Sequence, residues 1–169
     1  MAHMSYSIML ALVLLSLVCG VSKADEAPVE FDRKTVLANL DEATAKTDDP
    51  EVKRALKKMR ECVERSNQLL VLSGLLTLPP EIGQLTELRG LTLHDNQLTT
   101  LPPEIGKLTK LTELQIENNS VTDTDLEHLK SLTSLRRLNV RETEVTKVGV
   151  EAIRKALPNC EIKVLRQHP

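Results

Sequence analysis

The chain is almost without aromatic side chains. Tryptophan is missing, and Tyr6 and Phe31 are the only other aromatics among 169 residues. Any core must be aliphatic, and the rigid anchors that dominate tight protein interfaces are scarce. An excess of charge of one sign is also lacking: 22 basic residues stand against 24 acidic ones, for a formal net charge of −2. No basic stripe occurs, which excludes the electrostatic footprint of a nucleic-acid binder. Catalytic signatures are missing too. There is no H-E-x-x-H, C-x-x-C, G-x-S-x-G or phosphate loop. At this length the chain is one domain's worth.

Only one long apolar run exists, the 14 residues Ile8–Val21. A bilayer span takes roughly 20 residues, so this run is short for one. It fits the apolar stretch of a secretory signal, and Ser22-Lys23-Ala24 offers small residues where a signal peptidase reads, which predicts cleavage after Ala24. Against this, Met1–Ser7 holds no Lys or Arg. The other reading is a buried core helix. Lipidation at Cys19 is not expected, because Val18 stands where a small residue is needed. Removal of residues 1–24 leaves no stable membrane span and places the protein in the secreted, periplasmic or cell-envelope space.

What the chain has in abundance is leucine at fixed intervals. Leu88-x-x-Leu91-x-Leu93-x-x-Asn96-x-Leu98 recurs as Leu111-x-x-Leu114-x-Ile116-x-x-Asn119-x-Val121. It recurs again as Leu135-x-x-Leu138-x-Val140-x-x-Thr143-x-Val145, at offsets of 23 and 24 residues. Each L-x-L piece is a short strand with alternate residues inward. A single coil cannot bury its apolar side alone, so coils stack and the strands pair in parallel. Asn96 and Asn119 form a structural ladder in which a short amide satisfies backbone groups at the strand exit. Thr143 can do so only in part.

This spacing is the leucine-rich repeat signature, and residues 67–164 resemble that superfamily. Leu78-Pro-Pro-Glu-Ile-Gly-Gln-Leu-Thr86 and Leu101-Pro-Pro-Glu-Ile-Gly-Lys-Leu-Thr109 are similar to the Ras-suppressor-like and plant-like class. Val121-Thr-Asp with its helix, and Leu157-Pro-Asn-Cys-Glu-Ile162, are similar to secreted bacterial members. The resemblance implies an α/β fold, a short right-handed solenoid of about four repeats. A parallel sheet lies on its concave face, and its usual ligand is a protein.

The remaining segments follow from pattern. Asp25–Glu30 reads as a linker. Arg33–Lys46 and Glu51–Arg65 read as amphipathic helices, with Asp49 as N-cap and Pro50 at N1 of the second. Together, residues 25–66 form a linker and helical cap for the open end of the stack. Leu69–Leu75 is a degenerate first repeat with two possible registers. In one, Leu70 is the second strand leucine and Ser73 sits at the asparagine site. In the other, Leu70 and Leu72 point inward and two residues are deleted. Either way its strand is apolar on both faces; the N-terminal helices are the preferred cover for the outward one, and an unknown partner is the alternative. The proline coils predict a turn and short helical or extended segments, with Ile82, Leu85, Ile105 and Leu108 inward. Asp123–Leu132 and Val150–Leu157 read as convex helices. Asp123 is taken as the N-cap of the first, and Gly149 allows a tight approach to the second. Leu157–Val164 reads as a final edge strand whose polar Glu161 and Lys163 discourage further pairing. Residues 165–169 form a frayed tail. Cys62 and Cys160 flank the stack roughly 20 Å apart, beyond the reach of a disulfide. Two free, mostly buried thiols are expected.

Function is expected on the outward strand positions. One column is Thr92, Gln115, Asn139, Lys163. A second is His94, Glu117, Arg141, and a third is Gly90, Glu113, Arg137, Glu161, with Asp95 at a strand exit. The candidate partner-binding residues are Thr92, His94, Asp95, Glu113, Gln115, Glu117, Arg137, Asn139 and Arg141. The bland alternative is that these charges merely pair with one another in solvent. His94 with Glu117 gives only two metal ligands, so no metal, cofactor or catalytic residue is assigned. Two functions remain open. One is an exported, non-catalytic module that binds a protein or a cell-surface glycan. The other is an enzyme inhibitor or regulatory adaptor in the cytoplasm, should the apolar terminus not be a cleaved signal.

Overall fold

The computed structural model describes residues 32–164. The expected signal, linker and tail lie outside the described residues. Two helices come first, α1 (Arg33–Lys46) and α2 (Pro50–Glu64). Five three-residue strands follow: β1 (Leu69–Val71), β2 (Gly90–Thr92), β3 (Glu113–Gln115), β4 (Arg137–Asn139) and β5 (Glu161–Lys163). They make one sheet in sequence order with every neighbour parallel. Each strand returns through the convex side. The proline coils do so through 3-10 helices, Pro80–Gln84 and Pro103–Lys107. The later coils use α3 (Asp123–Leu129) and α4 (Lys147–Ala156). Prolines explain the difference, because a ring without an N–H suits a short first turn but not a helix interior.

The strand register is the one the spacing demands. Leu70, Leu91, Leu114, Leu138 and Ile162 lie side by side across the sheet. Leu91, Leu93, Leu114 and Ile116 are fully buried, as are Ile105 and Leu108 beneath the second proline coil. This alignment settles the first repeat. Leu70 pairs with Leu91 and Leu72 is buried, so the second register holds. The deletion falls between Leu72 and Leu75, since Leu75 occupies the place that Leu98 takes one coil later.

Asn96 and Asn119 are buried, and each side chain serves two coils. Asn119 Oδ1 accepts from the Leu98 N–H at 3.0 Å, while its Nδ2 donates to the carbonyls of Leu93, Ile116 and Glu117. Asn96 does the same for Leu75, Leu72, Leu93 and His94. The residue before each exit is left-handed: Asp95, Asn118 and Glu142 have φ of 54°, 55° and 52°. Aspartate and asparagine tolerate this best. Thr143 reaches only the Val140 carbonyl, at 2.8 Å, and the Val121 N–H is left without a partner among the described residues. Thr143→Asn should supply that partner. A gain of about 1 kcal/mol in urea unfolding is expected, and an unchanged midpoint would count against the ladder ending here.

The helical cap sits on the edge of β1. Asp49 caps α2 through the Glu51 and Val52 N–H groups, with Pro50 at N1. Leu40, Leu56 and Met59 are buried with the stack. The Gln68 carbonyl and the Leu72 N–H bond β2, so alternation turns the Leu69 and Val71 carbonyls towards α2. There they receive Cys62 Sγ and Lys58 Nζ. Because α2 lies at the edge, it does not cover the outward side of β1. Leu69 and Val71 remain 63% and 55% exposed, which corrects the expectation that these helices would hide them.

Two further readings need correction. Thr122, not Asp123, caps α3, and Asp125 completes a capping box with it. Asp125 is itself buried and also accepts from the Leu101 N–H at 2.7 Å, tying α3 to the preceding coil. Asp123 instead accepts from the N–H and hydroxyl of Thr146, the N-cap of α4. Those bonds, the hydroxyl first, hold its carboxyl below the usual carboxylate range. A Cβ on Gly149 would collide with this carboxylate, so the glycine allows the clasp to close. Cys62 is buried and Cys160 only half-buried; both are free, and burial raises both thiols.

Candidate functional site

The sheet face turned away from the core carries the candidate residues in register. Leu69, Gly90, Glu113, Arg137 and Glu161 form one column, and Val71, Thr92, Gln115, Asn139 and Lys163 the next. Both columns gain an aliphatic member that the candidate set left out. Leu69 leans across Gly90, where a Cβ would collide with it. The signal is present in the sequence as an apolar run on both strand faces, for which a partner is the alternative cover to the helices.

Charges on this face divide into paired and unpaired. Arg137 donates to Glu113 at 2.5 Å, and Gln115 donates to the other Glu113 oxygen at 2.9 Å. That pair is the bland outcome, an exposed bridge of small value. His94, Glu117 and Arg141 lie just past the strands and do not come together in this way. His94 Nδ1 meets Asp95 at 2.8 Å. Asp95 also accepts from the Asn118 amide, and these two contacts, Asn118 first, hold its carboxyl below the usual range. Arg141 is exposed and has no ion pair among the described residues. One oxygen of Glu117 is shielded from solvent and has no hydrogen-bond partner there. Pairing across coils resumes at the left-handed exits, where Asn118 donates to Asp95.

From β1 to β5 the face therefore runs from aliphatic, through acidic and amide groups, to unpaired Arg141 and Lys163. Among the described residues no three His, Cys, Asp or Glu side chains gather as metal ligands. No described helix is long and apolar enough to cross a membrane.

This architecture is a leucine-rich repeat fold, and the comparisons support a likeness to the leucine-rich repeat superfamily. A sequence model described as Leucine Rich repeats (2 copies) matches residues 86–131. A leucine-rich repeat protein of Leptospira interrogans is 30% identical in sequence. Its structure matches 69% of this chain with a TM-score of 0.56, across 34% of its own length. Internalin C2 of Listeria monocytogenes is 24% identical over 52% of this chain and 37% of its own, with a TM-score of 0.46. An internalin F of the same species is 20% identical over 55% and 26%, with a TM-score of 0.46. This chain spans about a third of the Leptospira protein. No curated protein sequence matches it. Leucine-rich repeat proteins commonly mediate protein–protein interaction.

Proposed function

We propose that this chain is a non-catalytic protein-binding module, exported from the cell, that takes its partner on the outer face of the parallel sheet. The supporting observation is the exposure of Leu69 and Val71 on that face, while Leu70 and Leu72 between and beside them are buried. Adjacent large aliphatics left in water on an otherwise polar face mark an interaction surface. Arg141, exposed and without an ion pair among the described residues, lies on the same side and offers a charge to a partner. With no aromatic platform to stack a sugar, the surface suits a protein better than a glycan.

Export rests on the apolar run Ile8–Val21 and its small-residue cleavage site. Sequencing the amino terminus of protein recovered from the culture fluid or envelope should begin at Asp25; an intact Met1 in the cytoplasm would count against it. Capture from the same fraction tests the face. Leu69→Asp and Arg141→Glu should each lower recovery of the partner at least tenfold, as loss of a central contact does. Lys155→Glu on the convex side should not. Equal capture by all of them would remove this surface from consideration.

A further inference from the structure

The two edges of the sheet are treated differently. On the β1 side, α2 sends Lys58 and Cys62 to the edge carbonyls of Val71 and Leu69. On the β5 side no described element does this. Glu161 donates its N–H to Arg136 at 2.8 Å, and the Lys163 carbonyl accepts from Val140 at 2.9 Å. Strand alternation therefore points the N–H and C=O of Ile162 away from β4. Beside them lies an open groove of about 600 Å3, whose apolar lining includes Val140, Val145, Val150 and Val164.

We infer that two copies of this chain join through β5, edge to edge and antiparallel about Ile162, into one continuous sheet. The charges select this arrangement. In a parallel pairing Glu161 would face Glu161 and Lys163 would face Lys163, which is unfavourable. In an antiparallel pairing centred on Ile162, each Glu161 faces the other copy's Lys163, twice over. Ile162 is then the pair that exchanges both N–H···O=C bonds. The two charged pairs fall in the flanking non-bonded positions, where side chains approach most closely. Glu161 and Lys163 thus discourage open-ended stacking and permit a closed, twofold dimer. In the same register Val164, on the rim of each groove, falls opposite Cys160 of the other copy. The inference does not depend on what the outer face binds.

Light scattering and sedimentation equilibrium on the intact chain test it. A reversible monomer–dimer equilibrium is expected. Lys163→Glu and Glu161→Lys should each weaken it roughly tenfold, since each creates two like-charge pairs. The double swap, Glu161→Lys with Lys163→Glu, should restore it. Ile162→Pro should abolish it while leaving the circular dichroism of the monomer in place, because proline is tolerated where an edge N–H faces solvent. Three results would overturn the inference. One is a chain that stays monomeric into the millimolar range. Another is a dimer indifferent to all these changes. The third is a monomer that dimerises only when residues 165–169 are deleted, which would make the tail the occupant of the edge.

Discussion

Leu114→Ala should cost about 2–5 kcal/mol of stability, the range for emptying a leucine site in a packed core. Leu114 is fully buried, and its strand pairs with Leu91 on one side and Leu138 on the other. It belongs to the middle layer, where neither end of the stack can relax to fill the space. Against the roughly 5–15 kcal/mol that a domain has in total, such a loss is a large share. Urea unfolding followed by circular dichroism is the measurement, and the midpoint should fall sharply. Leu69→Ala, the same change one strand row away, should shift it little, because Leu69 already stands in water. Equal effects at the two positions would mean that the layers are not stacked as described.

Asn119→Ala is the second large effect, and its origin is polar. The amide closes four backbone contacts, of which the bonds to Leu98, Leu93 and Ile116 are buried. Removing it strands the Leu98 N–H, and the carbonyls of Leu93 and Ile116 each lose a donor. A buried unsatisfied group costs about 1–3 kcal/mol, so a loss of about 3 kcal/mol is expected. Asn119→Asp distinguishes shape from chemistry. It keeps an acceptor for Leu98 but turns the donating end into oxygen facing carbonyls, and it should be at least as damaging as alanine. Hydrogen exchange at Leu98 gives a local readout. Its protection should collapse in Asn119→Ala before the amides of β2 and β3 are affected.

Much of this fold is written in the chain because its period is its mechanism. The 23- and 24-residue offsets put Leu91, Leu114 and Leu138 in one row, and the sheet pairs them so. The bounds of α1 follow from apolar spacing and the Thr47–Pro50 break. The first coil was legible only as two alternatives. Without an asparagine nothing fixes its phase, and pairing with Leu91 decides it. Asp123 was misread because an acid beside a helix start looks like a cap. Thr122 and Asp125, three residues apart, carried the better signal. On the candidate face the columns were readable, since alternation sets them. Which charges pair was not, because alternation sets the column a side chain belongs to and not the rotamer that lets Arg137 reach Glu113 while Arg141 stays unpaired among the described residues.

The amide ladder also gives the stack a direction. Asn96 reaches back to Leu75 and Asn119 back to Leu98, so each coil latches the one before it. At Thr143 the latch is incomplete: the Val121 carbonyl still accepts from the Glu144 N–H and Asp123 still holds Thr146, but no side-chain amide closes on the Val121 N–H. Loosening should therefore travel from the carboxyl-terminal coil inward, like a zipper whose last teeth are missing. The segment that opens first is the one that carries Arg141, so the positive end of the candidate face would be its most adaptable part.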